Sequence, residues 1–240
     1  MDVITALQFK GGAGKTVTTM ALASAAAARG QRVVLIDCDQ NTPMTRWHGV
    51  GLETGYWDNA VTVERHMEFE ALAGAVDAHE ASGQVDLILV DARGGRSGFL
   101  NGLAQLADAI LVPSRPVKVD VDGAADTFSY LHALSEAGAN VAPARLVFAA
   151  LKPEKQQTVT MRAFVEAMRR FPCLGPALRE RSAFTNMQAM GLLSEIACQK
   201  AADPGALERG QARIYAEALS EAGALLDATL GLAASAREAA

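Results

Sequence analysis

Seven consecutive residues, Lys10-Gly11-Gly12-Ala13-Gly14-Lys15-Thr16, hold the densest usable chemistry in this 240-residue chain. Glycines in such a run let successive backbone N–H groups turn inward around an anion, because glycine alone adopts the required left-handed dihedrals without strain. A helix-like segment, Val17 to Arg29, follows at once. The positive end of its dipole falls at the same place. Lys15 is then expected to reach the β- and γ-phosphates of a nucleotide, and the Thr16 hydroxyl to hold Mg²⁺. The competing interpretation is a plain glycine turn with a chance Gly-Lys-Thr. An apolar run before the turn and a helix after it argue against that. The usual phosphate-loop pattern has glycine where this chain has Phe9, and an extra lysine, Lys10, stands just ahead of the glycines.

Two carboxylate clusters complete the candidate chemistry. Val33-Val34-Leu35-Ile36 runs into Asp37-Cys38-Asp39-Gln40, and Val85-Asp86-Leu87-Ile88-Leu89-Val90 runs into Asp91. Carboxylates at the C-terminal ends of parallel strands lie at the ligand-binding edge of the sheet. A hydrophobic strand closing on aspartate, downstream of a phosphate loop, puts that carboxylate near Mg²⁺, usually through a water. The glycines of Ala92-Arg93-Gly94-Gly95 permit a mobile segment. Arg93 and Arg96 lie close enough in sequence to contact phosphate or a partner subunit, although surface arginines are common.

The elements that must position these groups alternate along the chain. Strand candidates at 3–9, 32–37, 60–64, 85–91, 108–113 and 145–150 are rich in Val, Ile and Leu, as strands buried on both faces should be. Segments with helical spacing lie at 16–29, 67–82, 98–107, 122–138 and 157–171. The last third is helical, with a short piece near 183–190 and a long one from about 204 to 230, where Asp203 and Pro204 suit an N-cap and first turn. The pattern predicts an α/β fold: a mostly parallel twisted sheet with helices on both faces, in a single domain over 1–240 whose tail frays from about 233. The loop after the sixth strand is expected to meet adenine, through residues that spacing does not identify.

Composition narrows the function classes. No apolar run approaches the ~18 residues that span a bilayer, and the N-terminus lacks the basic and apolar regions of a signal peptide. Cys38, Cys173 and Cys198 form no CxxC pair, which suits reducing cytosol, and the four histidines lack metal-ligand spacing. The net charge of -5 argues against a simple nucleic-acid binder. Yet residues 145–215 hold 11 Lys and Arg against 6 Asp and Glu. Within that segment Arg162, Arg169 and Arg170 recur along one predicted helix, and Arg209 and Arg213 are four apart on another. They are candidate DNA-phosphate contacts, together with Arg179 and Arg181. The alternative is a solvated surface on which arginines pair with Glu166, Glu180 and Glu208. Trp47 and Trp57 are read as filling space between the second and third strands.

The lysine ahead of the glycines, followed by Asp37-Cys38-Asp39, resembles the ParA/MinD/Soj family of deviant phosphate-loop ATPases. The resemblance implies that Lys10 crosses a dimer interface to the partner's ATP, that Asp39 orients or deprotonates the attacking water, and that Asp37 supports the magnesium shell. Val17 departs from the second threonine that many members carry. Pro113-Ser114-Arg115-Pro116 also stands at a family-like position. Pro43-Met44-Thr45-Arg46-Trp47, Asp91-Ala92-Arg93-Gly94-Gly95, Glu180-Arg181-Ser182-Ala183-Phe184 and Gly191-Leu192 look like the VirC-type branch, which assists transfer of T-DNA and conjugative plasmids. That implies a slow ATPase forming an ATP-dependent homodimer, non-specific DNA binding, and an adaptor, centromere-binding or relaxosome partner. Localisation would be cytoplasmic, at nucleoid or pole. Positioning of a protein cargo, or a metabolic or redox enzyme on the same fold, are the alternatives. The cysteines are not where an iron–sulfur branch needs them, the tail lacks a basic amphipathic helix for membrane switching, and no N-terminal helix-turn-helix is expected.

Overall fold

The computed structural model describes residues 1–93, 98–202 and 205–239, with the side chains at 206–209 and 239 outside that description. Arg96, Gly94 and Gly95, the Asp203–Pro204 cap, and the side chains of Glu208 and Arg209 therefore lie outside the described residues.

The strands are β1 (Asp2–Ala6), β2 (Val33–Asp37), β3 (Val61–Arg65), β4 (Leu87–Asp91), β5 (Ala109–Ser114) and β6 (Ala144–Phe148). They form one parallel sheet in the order β3-β2-β4-β1-β5-β6. Six strands appear where six apolar runs predicted them. The helices are α1 (Lys15–Ala27), α2 (Pro43–Thr54), α3 (Phe69–Ser82), α4 (Gly98–Leu106), α5 (Lys118–Glu136), α6 (Val159–Met168), α7 (Ser182–Met190), α8 (Leu193–Ala202) and α9 (Ala206–Ala239).

Alternate residues of each central strand feed opposite cores, which is why those strands are apolar throughout. Ile4, Leu35, Leu89 and Leu111 face α1, α2 and α7–α9. Val3, Ile36, Val90 and Val112 face α3–α6. α1 is composed largely of small residues and is buried along most of its length. Small side chains let it lie between the sheet and the C-terminal helices.

Two helices escaped the sequence pattern, and long-range contacts explain both. α2 contains Gly49 and Gly51, and of its residues only Met44, Trp47 and Gly51 are buried. The Asp37 carboxylate accepts from the N–H groups of Met44 (3.0 Å) and Thr45 (3.1 Å) at its first turn, and Pro43 starts it with the correct φ. Trp57 covers Gly51 so closely that a Cβ there would meet the ring at 2.4 Å. α8 begins where Ser24 of α1 accepts the Leu193 N–H at 3.0 Å.

The ends of other helices need correction. α6 stops at Met168, so Arg170 lies beyond the C-cap Arg169 and the shared-face argument does not extend to it. The tail does not fray from 233: α9 continues to Ala239, Ala233 is buried, and Arg237 pairs with Asp2 at 2.6 Å. Among the described residues, no helix is long and apolar enough to cross a membrane.

Trp47 is fully packed, crosses Trp57 edge to face at 4.9 Å, and donates from Nε1 to the Met187 carbonyl at 2.7 Å. This bears out the space-filling reading. Trp47→Ala is expected to lower unfolding free energy by roughly 3–5 kcal/mol, measured by urea denaturation. A loss under ~0.5 kcal/mol would show that Trp47 does not join α2 to α7.

Candidate functional site

The loop leaving β1 turns at Gly12 (φ 77°) and Gly14 (φ 109°), both in the left-handed region. Gly14 has a second constraint: a Cβ there would come within 2.8 Å of the Ala149 Cβ at the end of β6. α1 then starts with no side-chain cap and no acidic residue in its first turn. Its first N–H groups and its dipole thus stay available to an anion. Lys15 is half-buried at this point and donates from Nζ to the Gln8 carbonyl at 3.1 Å. Burial lowers its pKa, and Asp91 and Asp39 pull it back up.

Beside Lys15 sits Asp91, 1% exposed. Its Oδ2 accepts from the Thr16 hydroxyl at 2.8 Å, while its Oδ1 is buried without a hydrogen-bond partner. Burial pushes this carboxyl up to about 7; Thr16 and Lys15 oppose the shift, and the like charges of Asp37 and Asp39 add to it. Strand register explains the crowding, since Asp37 and Ala6 both pair with Asp91 across neighbouring strands. A hydroxyl beside a buried, under-satisfied carboxylate suits a hard divalent cation. Among the described residues no group of three or more His, Cys, Asp and Glu has metal-site geometry. Mg²⁺, which keeps waters and borrows phosphate oxygens, fits such a partial set.

Asp37 and Asp39 sit in different surroundings. Asp37 is fully buried, and its Oδ2 accepts from the Met44 and Thr45 N–H groups and from the Thr45 hydroxyl at 3.2 Å. Its Oδ2 therefore anchors α2, while its Oδ1 accepts from the Asp39 N–H at 3.2 Å. Asp39 is half-exposed and held by Asn41, whose N–H and side-chain amide donate to Oδ1 at 2.8 and 3.0 Å. Cys38 between them is buried, its thiol pushed up to about 12 by desolvation and then by the charges of Asp37 and Asp91, with Arg93 opposing. It is a poor nucleophile at neutral pH. Arg93 lies over the Phe99 ring, 4.8 Å from its centroid.

Lys10 is exposed, and its stem lies against α5 where Gly123 has no side chain; a Cβ there would be 2.6 Å from the lysine Cγ. Beneath it, buried Gln8 donates to the Ser114 hydroxyl at 3.1 Å and accepts from the Thr127 hydroxyl at 3.1 Å. These contacts tie the loop's base to β5 and α5.

On the other side of Gly12 and Gly14, a cavity of about 290 Å³ is walled by Val17, Arg115, Ala149, Ala150, Leu178 and Phe184, among others. Ala149 and Ala150 follow β6, in the loop where adenine was expected. Sequence spacing missed the 178–188 wall, because nothing local links it to the phosphate loop.

The basic candidates separate. Arg162 and Arg169 line a second cavity, of about 450 Å³, with Lys152 and Arg179 and with the carboxylates of Glu154 and Glu166. Arg169 also stands 3.7 Å from Glu166. Arg170 is exposed but does not join that wall. Arg181 pairs with Glu217 and Glu221, and Arg213 with Glu217 at 3.0 Å, so these cations serve the attachment and surface of α9.

Comparisons with known proteins agree with this geometry. The family model described as VirC1 protein matches residues 1–231. The VirC1 protein of Rhizobium radiobacter is 33% identical over 204 residues, 85% of this chain and 87% of that protein. The ParA protein of Rhizobium radiobacter is 29% identical over 120 residues, half of each chain. The MinD cell division protein of Aquifex aeolicus superposes with a TM-score of 0.66, covering 94% of this chain and 97% of that one; its 20% identity speaks for the fold alone. The chain belongs to the VirC1 family.

Proposed function

We propose that this protein is a slow ATPase whose ATP-bound form dimerises and binds DNA, acting in partition or in conjugative and T-DNA transfer. One observation carries the chemistry: an uncapped α1 N-terminus beside Lys15, next to the Thr16–Asp91 pair with its unsatisfied buried oxygen. Loop N–H groups and Lys15 hold the β- and γ-phosphates, Lys15 leaving the Gln8 carbonyl to do so. Thr16 and Asp91 hold Mg²⁺, with Asp37 contributing charge from the adjoining strand end. When bound, Mg²⁺ neutralises the charge that develops on the phosphates during transfer. Asp39 orients or deprotonates the attacking water, and Asn41 fixes its carboxylate. The cavity beyond Gly14 takes the nucleoside.

Lys10 reaches a partner's triphosphate, which makes dimerisation depend on ATP. Its exposure and its seat on Gly123 support that reading. The dimer doubles the phosphate contacts available on the Arg162–Arg169 cleft, and such contacts multiply in affinity. The membership in the VirC1 family supports relaxosome or T-DNA partners, an adaptor that stimulates hydrolysis, and a cytoplasmic location at nucleoid or pole.

Lys15→Ala is expected to abolish ATP binding, and Asp39→Ala to keep binding while hydrolysis falls by 10²-fold or more, a common loss for a catalytic acid or base. Fluorescent-nucleotide titration and phosphate release measure the two, and wild-type hydrolysis by Asp39→Ala would reassign the catalytic carboxylate. With ATP and Mg²⁺, Asp39→Ala should be dimeric by light scattering, and the Lys10→Ala, Asp39→Ala double variant monomeric. Equal dimer fractions would remove Lys10 from the interface. Replacing Arg162 and Arg169 with Glu should weaken ATP-dependent binding to random-sequence duplex by tenfold or more, with ATP affinity unchanged. The salt slope should flatten by about 0.9 for each DNA phosphate that is no longer neutralised. Anisotropy that shows wild-type DNA affinity would favour the solvated-surface reading.

A further inference from the structure

Arg115 follows β5, the strand that pairs with β1 on the side away from Asp91. Its backbone N–H and its Nε both donate to Asp120 Oδ2, at 3.1 and 2.8 Å, and Nη2 lies 3.4 Å from Oδ1. Asp120 is wholly buried in the first turn of α5. The guanidinium is therefore fixed by a carboxylate that cannot move, yet the arginine side chain remains 41% exposed. It forms part of the wall of the 290 Å³ cavity with Gly12, Gly14 and Val17. Nη2 stands 3.8 Å from where a Cβ at Gly12 would sit, so the cation rests against the phosphate loop itself. Among the described residues Nη1 has no hydrogen-bond partner.

The other cations on this cavity are differently occupied. Arg181 is held by Glu217 and Glu221, and Arg179 lies 3.5 Å from Glu221. Lys15 does not line this cavity and donates to the Gln8 carbonyl at 3.1 Å. Arg115 is thus a pre-oriented guanidinium with donors left over, at the mouth of an anion loop. A planar guanidinium can serve a buried carboxylate with one edge and a phosphate with the other, which an ammonium cannot.

We propose that Arg115 is a phosphate-contacting residue of the nucleotide site, gripping the diphosphate portion of the bound nucleotide from within the same subunit while Asp120 positions it. The inference rests on the nucleotide reading of the loop. Because the diphosphate is common to ATP and ADP, the contact binds both. It is a different role from that of Lys10, which answers to a partner's triphosphate.

The test uses the full chain and a fluorescent ADP analogue with Mg²⁺, titrated by anisotropy at two salt concentrations. Wild type should bind; if it does not, the nucleotide reading and this inference fall together. With wild-type binding established, Arg115→Gln should weaken ADP and ATP alike by about tenfold or more, as for loss of a charge-assisted hydrogen bond. Its salt dependence should be shallower, and its nucleotide-free melting temperature should match wild type. Unchanged ADP affinity in Arg115→Gln would overturn the proposal and leave Arg115 as an anchor for α5. Should that variant melt early, Arg115→Lys keeps a cation for Asp120. It should fold and still lose ADP affinity several-fold, because one ammonium cannot hold both anions. Wild-type ADP affinity in the lysine variant would equally overturn the proposal.

Discussion

The first turn of α1 carries N–H groups that no side chain caps and no acidic residue compensates. Helices normally satisfy those groups with a neighbouring serine, threonine, asparagine or aspartate, worth about 1 kcal/mol. Here the turn stays open toward an anion, and its stability comes from elsewhere. The helix is enclosed by the sheet on one side and by α7, α8 and α9 on the other. Glycine at 14 lets the loop approach β6 within a distance that any side chain would prevent. The C-terminal third of the chain, whose described residues add no strand to the sheet, keeps this first turn in place.

A second tension lies across the strand ends. Asp37 and Asp91 face each other in register at the edge where the loop sits, with Asp39 two residues on. Three carboxylates in a largely dry corner repel one another, and desolvation adds to the cost. The structure resolves one of them locally: Asp37 takes three hydrogen bonds from the start of α2. Asp91 receives one, from Thr16, and keeps an unsatisfied oxygen. Such an incompletely paired buried group is costly in a purely structural setting and useful where a cation must enter.

The long helix α9 links distant parts of the molecule. In its first half, Glu217 and Glu221 hold Arg181 in the segment that walls the cavity beside Gly12 and Gly14. Further along, Asp227 holds Arg29 just past the end of α1, and Arg237 reaches Asp2 at the start of β1. Exposed pairs of this kind contribute little each. Their distribution matters more, because they connect both ends of the β1–loop–α1 unit and one wall of the cavity to a single rod.

Local chemistry along the chain was enough for the sheet and for the phosphate loop. The central strands β2, β4 and β5, buried on both faces, are visible as runs rich in Val, Ile and Leu, and even the edge strands β3 and β6 keep enough apolar residues to be found. Lys10–Thr16 is contiguous, so its glycine turn leading into a helix is legible without knowing what surrounds it. Asp91 could be read because it closes such a run. Contacts between residues far apart in sequence decided the rest. α2 owes its existence to Asp37 and Trp57 and has little intrinsic helical preference to reveal it. The wall at 178–188 meets Gly12 and Gly14 only after the chain has crossed the sheet. The arginines of 145–215 looked equivalent as a run of charge, yet folding commits Arg181 and Arg213 to glutamates of α9 and leaves Arg162 and Arg169 along a cleft. Arg115 is the sharpest case: its meaning depends on a buried aspartate five residues on and on a glycine loop a hundred residues before it. Periodicity reports which face of an element is buried; which side chains converge on a point depends on strand order and register.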